Sequence, residues 1–206
     1  MVMLTEPMGR GYQTNCYILI KENRSIIIDP GINAVDWIVQ NAKNPLAVLN
    51  THGHFDHTFS NAQLQREFEI PVYIHNDDAF LLGAESSYLA KKEPCIADVR
   101  VSDEEWITIG EFVFRFMHFP GHTPGCCMIE FGDRIFSGDF IFDNSIGRCD
   151  FPSSSPNDMR KSLSRFIDLY CKDKDDNRPL YPGHGKPTTI HSAMSFIPEF
   201  IRMLSR

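Results

Sequence analysis

One short stretch of the chain carries the strongest chemical signal: Thr51-His52-Gly53-His54-Phe55-Asp56-His57. It places three imidazoles and one carboxylate within a few residues, directly after the apolar run 46–50, which is typical of a buried strand. Neutral imidazole and carboxylate are the groups that bind Zn²⁺ and similar ions. Residues two apart can project to one side, so His52 and His54 could share an ion, while Asp56 and His57 could hold a second. The alternative is a polar loop in which Asp56 caps a helix.

Three further segments place potential ligands beside glycine at predicted strand ends. They are 120–125 with His122, 137–139 with Asp139, and 182–185 with His184. Glycine lets the backbone turn sharply and approach a site closely. Together with the first stretch, these segments supply five His and two Asp, which suits two ions that share a bridging carboxylate. Two metals about 3.5–4 Å apart can hold both the attacking and the departing atoms of a hydrolysis.

The composition is that of an ordinary globular protein, and it excludes several classes of function. The chain has 206 residues, 42% of them hydrophobic, so we expect one domain spanning residues 1–206. It carries 20 Lys and Arg against 27 Asp and Glu and no basic run, so we expect no nucleic-acid partner. No apolar stretch approaches the ~20 residues that cross a bilayer, and no secretory pattern begins the chain. We therefore expect no membrane partner, a cytoplasmic location and six reduced cysteines.

The hydrophobic pattern predicts two halves that differ in how strands and helices follow one another. In the first half, helical patterns alternate with strand-like runs at 15–20, 25–29, 46–50 and 71–74. From Val101 onward the pattern is that of an antiparallel sheet, followed by a helix over 156–171 and another from about Thr188. Two halves, each with a sheet and covering helices, suggest a four-layer α/β arrangement.

These segments together resemble the metallo-β-lactamase-fold hydrolases, and within them the short, glyoxalase II-like branch of hydroxyacylglutathione hydrolases. The motifs that carry the resemblance run along nearly the whole chain, at 28–31, 51–57, 121–125, 137–139, 145–151 and 183–185. The resemblance implies an αββα four-layer sandwich with a metal site at one edge of its two sheets.

The resemblance also implies a role for each candidate residue. The implied ligands are His52, His54 and His122 for one metal ion, Asp56, His57 and His184 for a second, and Asp139 as the bridge. Asp56 and Asp139 are the expected catalytic carboxylates, and Asp29 would orient the ligands from behind. The expected cofactors are two divalent ions, with zinc first and iron or manganese as alternatives, since His and Asp sites accept all three.

Other residues near these motifs admit two interpretations. Arg148 could bind an anionic group of the substrate or pair with Asp150 and fix its loop. Lys186, directly after the His184 segment, is a further candidate for substrate binding. Cys149 stands where the family usually has Thr or Ser, so that position offers no hydroxyl. The adjacent thiols at 126 and 127 are expected to pack in the core.

The remaining histidines are not expected to be ligands. His75 follows a predicted strand and should begin a helix or lie at the surface. His118 should be packed in the core or lie behind the ligands, and His191 should lie on the surface of the last helix.

The implied function is metal-dependent hydrolysis of a small-molecule thioester, such as S-lactoylglutathione, by a hydroxide that bridges the two metals. A thiol has a pKa of about 8.5, so a thiolate leaves without a strong general acid. Two alternatives stay open: a persulfide dioxygenase-like oxidoreductase with one iron held by two His and one Asp, and a metal-binding protein without catalysis. Lactamase and RNA-processing activities on the same fold match the motifs less well. The sequence predicts neither the acyl group nor the oligomeric state.

Overall fold

A computed structural model describes residues 1–83, 92–172 and 176–205. Its strands are β1 (Val2–Met8), β2 (Thr14–Lys21), β3 (Arg24–Ile28), β4 (Pro45–Leu49), β5 (Val72–His75), β6 (Val99–Val101), β7 (Trp106–Ile109), β8 (Phe112–His118), β9 (Cys127–Phe131), β10 (Arg134–Gly138), β11 (Ile141–Phe142), β12 (Ser145–Ile146), β13 (Pro179–Pro182) and β14 (Thr188–Thr189). Its helices are α1 (Val35–Asn41), α2 (Phe55–Thr58), α3 (Asn61–Phe68), α4 (Ala79–Leu82), α5 (Pro156–Tyr170) and α6 (Ile190–Met203), and a 3₁₀ turn covers Asn76–Asp78.

Within the described residues, the strands form two six-stranded sheets and a hairpin of β11 and β12. The first sheet has the order β1-β2-β3-β4-β5-β6, antiparallel from β1 to β3 and parallel from β3 to β6. The second has the order β14-β13-β10-β9-β8-β7, in which β10 and β13 are parallel. Strands β7 to β10 are antiparallel neighbours, which confirms the antiparallel sheet predicted after residue 101.

Alternate side chains of the first sheet face two different cores. In β2, Cys16 and Ile18 pack on the side of α1 and α3. Tyr17 and Leu19, on the opposite face of the same strand, pack against the second sheet. Ile27 of β3 repeats the helix-facing position. Both faces of these strands are therefore buried, which explains their nearly continuous apolar sequence.

The second sheet has the same construction. Phe112 and Phe116 of β8 point toward the first sheet, while Met117 packs under α5 and α6. In β10, Phe136 faces the first sheet and Ile135 faces the helices. The layers therefore run helices, sheet, sheet, helices, and the predicted αββα sandwich is confirmed.

Cys126 and Cys127 are both buried, as predicted, but they serve different cores. Cys126 packs under α5 and α6, whereas Cys127 packs between the sheets. The hydrophobic pattern did not predict strand β1, because its apolar residues are interrupted at 5–7 and most of its side chains are at least partly exposed. Among the described residues, no helix is both long and apolar enough to cross a bilayer.

The ligand-bearing segments leave the ends of strands that share an edge. The segment 50–57 follows β4, Asp139 follows β10, and 183–185 follows β13. Because β3, β4 and β5 are parallel, and β10 and β13 are parallel, these carboxyl ends meet at one edge of the sandwich. Open α/β sheets commonly place their ligand sites at such an edge.

Candidate metal centre

Asp29, directly after β3, holds the histidine-rich segment from behind. It is buried and accepts hydrogen bonds from the backbone N–H of Thr51 (2.8 Å), the hydroxyl of Thr51 (2.7 Å) and Nδ1 of His57 (3.1 Å). Its φ of +49° lies in the left-handed region, which Asp adopts more readily than most side chains. Asp29 thus anchors the segment at both ends.

One group of donors consists of His52, His54 and His122. Their ring nitrogens lie within 4.8 Å of one another, and the ring centroids are 4.5–4.9 Å apart with nearly perpendicular planes. One nitrogen of each ring is therefore close enough to the other two for all three to bind one ion.

The hydrogen bonds of this group assign the tautomers of two rings. The Thr51 hydroxyl donates its only proton to Asp29. In its contact with His52 (3.1 Å), Nδ1 of the ring therefore donates and the hydroxyl oxygen accepts. The backbone carbonyl of Arg148 can only accept, so Nδ1 of His122 donates to it (2.7 Å). In the neutral rings, each Nε2 therefore carries a lone pair. Both Nε2 atoms are buried and make no hydrogen bond, as expected for ligands of a metal ion.

A second group consists of Asp56, His57 and His184, again with donor atoms within 4.8 Å of one another. Nδ1 of His184 donates to the carbonyl of Tyr12 (2.9 Å), and Nδ1 of His57 donates to Asp29. Their Nε2 atoms consequently face each other at 3.3 Å. Asp56 Oδ2 lies 3.3 Å from Nε2 of His184 and 3.7 Å from Nε2 of His57.

Asp139 stands between the two groups. Its Oδ1 lies 3.3 Å from Nε2 of His57, and its Oδ2 lies 3.4 Å from Nε2 of His122 and 3.5 Å from Nε2 of His184. A Cβ at Gly183 would come within 2.2 Å of Asp139 Oδ1, so a side chain at that position would occupy the space between the ligands. Two sets of inward-facing lone pairs with one shared carboxylate fit a pair of divalent ions.

The two groups differ in their electrostatics. Burial, reinforced by the neighbouring His122, lowers the pKa of His54 to about 4. Burial and the neighbouring His57 hold the pKa of His52 well below its usual value. His52 and His54 are therefore set up to be neutral, the state that binds metal.

The second group retains charge. Burial by itself would lower the pKa of His184, but the carboxylates of Asp139 and Asp56 raise it to about 9. Burial likewise opposes the charged form of Asp56, yet His57 and His184 lower the pKa of this carboxyl to about 2. The pKa of Asp139 is also held well below its usual value, by His57 and His184 against the effect of burial.

The two cations predicted as candidates for substrate binding are each paired with a carboxylate. Arg148 makes a bidentate contact with Asp150 (2.9 and 2.8 Å), and its guanidinium lies over the ring of Phe151, 4.3 Å from the centroid. Nζ of Lys186 lies 3.1 Å from Asp143, with the Lys186 side chain 78% exposed. The carbonyl of Arg148, rather than its side chain, is what contacts a ligand histidine.

A further cluster of Asp103, His75 and His118 lies outside this centre. His75 accepts the N–H of Asp77 through Nδ1 and begins the 3₁₀ turn, which confirms the first of its two predicted roles. The other predicted role, a surface position, does not apply, because the residue is 3% exposed. Because Nδ1 accepts, Nε2 carries the proton and donates to Asp103 (2.8 Å). The rings of His75 and His118 stack at 4.0 Å with planes 13° apart, unlike the edge-on rings above. The three residues form a hydrogen-bonded cluster, although their donor atoms also lie within 4.8 Å of one another.

His118 is partly buried behind the ligand loop, as predicted, and donates from Nε2 to the carbonyl of Pro124 (2.7 Å). His191 is exposed on α6, which confirms its predicted surface position.

Sequence reasoning missed the residues of β2 that support the centre. The hydroxyl of Thr14 donates to Asp56 (2.8 Å). Nδ2 of Asn15 donates to the carbonyls of Pro182 (3.0 Å) and Gly185 (2.8 Å), on either side of His184. Nothing in the local pattern of β2 distinguishes these residues, because the partner of Thr14 lies 42 residues away and the partners of Asn15 lie 167 and 170 residues away.

Comparisons with known proteins identify the family of this chain. Residues 9–184 match the Metallo-beta-lactamase superfamily. The hydroxyacylglutathione hydrolase GloC of Haemophilus influenzae is 32% identical over 193 residues, 87% of this chain and 89% of that protein. Among solved structures, the BLEG-1 B3 metallo-beta-lactamase has a TM-score of 0.84 at 32% identity, over 97% of this chain and 99% of that one. TTHA1623, solved in a di-iron-bound form, has a TM-score of 0.81 at 30% identity, over 95% and 99% of the two chains. The chain belongs to the Metallo-beta-lactamase superfamily, as its motifs predicted.

Proposed function

We propose that this protein is a metal-dependent hydrolase of small-molecule thioesters, with S-lactoylglutathione as the model substrate. The observation that carries the proposal is the pair of donor groups that share Asp139, with the Nε2 lone pairs of His52 and His122 turned inward and unbonded. His52, His54 and His122 would hold one ion, and Asp56, His57 and His184 the other. When bound, a pair of divalent ions supplies hydroxide near neutral pH and polarises the acyl carbonyl.

The residues of the centre favour a leaving group that needs no protonation. His52, His57, His122 and His184 each donate from Nδ1 to a protein acceptor and turn Nε2 to the metal position. With metal bound at Nε2, these four rings therefore have no proton to give to a substrate. Asp56 is a poor acid as well, since its neighbours lower its pKa to about 2 despite burial. A thiolate leaves under these conditions more readily than an amine does.

The named relatives support hydrolysis but differ in substrate. GloC is named a hydroxyacylglutathione hydrolase and BLEG-1 a B3 metallo-beta-lactamase, and both are 32% identical to this chain. The leaving-group argument favours the thioester. We propose zinc as the resident metal, with iron and manganese as alternatives in view of the di-iron form of TTHA1623.

A substrate panel tests the proposal. Protein loaded separately with zinc, iron or manganese is assayed on S-lactoylglutathione, a simple acyl thioester, a β-lactam and glutathione persulfide, with oxygen uptake recorded for the last. We expect thioester hydrolysis to exceed β-lactam hydrolysis by at least about tenfold in kcat/KM, a difference of about 1.4 kcal/mol in transition-state stabilisation. Oxygen uptake with iron and persulfide would instead support the dioxygenase alternative, and a loaded protein inactive on every substrate would support a metal-binding role.

A further inference from the structure

Asp78, in the 3₁₀ turn after β5, is fully buried and makes its hydrogen bonds to two distant loops. Its Oδ2 accepts the backbone N–H of Gly53 (2.8 Å) and the hydroxyl of Thr123 (2.6 Å), and its Oδ1 accepts the backbone N–H of Gly125 (2.6 Å). Gly53 lies between His52 and His54, and Thr123 follows His122. One carboxylate thus joins the two loops that carry the three-histidine group.

Close packing against the Asp78 turn also explains why residues 53 and 125 are glycines. A Cβ at Gly53 would lie 3.0 Å from the carbonyl oxygen of Asp78 and 2.6 Å from Cβ of Leu81. A Cβ at Gly125 would lie 2.7 Å from the backbone nitrogen of Asp78. Neither glycine has a φ in the left-handed region. Both positions therefore require glycine for the close approach of the Asp78 turn, not for backbone conformation.

We propose that Asp78 is the positioning residue of the three-histidine metal site. It sets the distance between the 52–54 backbone and the 122–125 backbone, so that the imidazoles of the two loops meet at one ion. This inference rests on the ligand set proposed above.

The chemistry of the site requires a carboxylate at this position. Three donors converge on Asp78, and a carboxylate offers acceptors only. In Asp78→Asn, one of the two oxygens becomes an NH₂ group, which must face at least one of these donors. The loop on that side loses its bond and moves, which separates the ligands without altering any ligand side chain.

The test counts zinc ions per chain in purified protein, after equilibration at a zinc concentration that just saturates both sites of the wild type. The expected counts are two for the wild type, one for Asp78→Asn, one for His184→Ala and none for the double variant. Asp77→Asn is the matched control: it makes the same change at the exposed neighbouring residue and should keep two ions. Titration should show a loss of about a hundredfold in affinity at the affected site of Asp78→Asn, with the other site unchanged.

Circular dichroism and the melting temperature of the metal-free variants establish that the counts come from folded protein. If Asp78→Asn does not fold, Thr123→Val takes its place, because it removes one of the three hydrogen bonds at nearly constant volume. It should weaken one zinc site by about three- to tenfold.

Two zinc ions bound at wild-type affinity in Asp78→Asn, or one ion retained in the double variant, would overturn the role of Asp78. Unchanged affinity in Thr123→Val would do the same. If His184→Ala itself retains both ions, the ligand set is wrong, and the proposed function fails together with this inference.

Discussion

The Nε2 atoms of His57 and His184 lie 3.3 Å apart, although each ring already donates from Nδ1, to Asp29 and to the carbonyl of Tyr12. In two neutral rings these facing atoms would both carry lone pairs, which repel at this distance. A positive charge between or beside them removes the repulsion. In metal-free protein that charge is a proton, and in loaded protein it is a divalent ion.

Metal loading should therefore release protons at neutral pH. Despite burial, nearby carboxylates raise the pKa of His184 to about 9 and hold the pKa of His57 well above its usual value. Without metal, the His57–His184 pair consequently binds about one proton more than two neutral rings at pH 7, and zinc must displace it. Zinc titration calorimetry in two buffers of different ionisation enthalpy measures this release. The release should fall in His184→Ala, and equal heats in the two buffers would contradict the assignment.

The metal-free protein should lose stability as the pH rises from 6.5 to about 9. Because the folded pKa of His184 is raised above its usual value of 6.5 to about 9, the folded state binds more protons across this window. Its contribution is complete below pH 6.5 and disappears as the pH rises through 9, a change of about 1–3 kcal/mol. Urea unfolding at several pH values measures it. The profile of metal-free His184→Ala should be flatter, and parallel profiles would count against the pairing.

Gly183→Ala should strongly reduce the proposed thioesterase activity by displacing ligands. The new Cβ would lie 2.2 Å from Asp139 Oδ1 and 2.4 Å from Cε1 of His57, closer than any real contact. We expect at least about a hundredfold loss of kcat/KM together with weaker zinc binding, because displaced ligands disrupt both. Gly83→Ala is the control, since among the described residues its Cβ would meet only the carbonyl oxygen of Phe80, at 3.8 Å. Wild-type kinetics in Gly183→Ala would show that the ligands do not occupy these positions in the working enzyme.

Arg148→Ala should leave the KM for S-lactoylglutathione within about twofold of the wild type, because the exposed guanidinium is already paired with Asp150. Asp150→Asn should instead free the cation and lower KM for anionic thioesters by up to about fivefold. An uncharged thioester serves as the control substrate and should respond to neither change. A tenfold rise of KM in Arg148→Ala would mean that Arg148 binds the substrate despite its partner.

The sequence predicted the parts of the fold that depend on local pattern. Apolar runs such as 25–29 and 46–50 correspond to β3 and β4, and the helices near 156–171 and after Thr188 correspond to α5 and α6. The seven donors could be named because each lies in a short polar segment next to glycine at a strand end. Their convergence follows from the shared edge of parallel strands.

The supporting contacts could not be predicted, because they join residues far apart in the chain. Asp78 resembles any acidic residue at a helix start, and its partners at 53, 123 and 125 emerge only when the two sheets pack. The burial of His75 has the same origin, since β6 and the end of β8 surround it with Asp103 and His118.

The contact of β2 with the segment 182–185 has a consequence for the order of assembly. Asn15 and Tyr17 bond the carbonyl of Pro182, and Thr14 forms an isolated bridge with His184. These links span roughly four-fifths of the chain, and contacts of such long sequence separation are costly to close during folding. A ribosome-bound chain can present the histidines of 52–57 and 122 long before residue 184 has left the exit tunnel. The second donor group is therefore completed only after residue 184 has been synthesised, and a chain cut short before that point lacks one of its three donors.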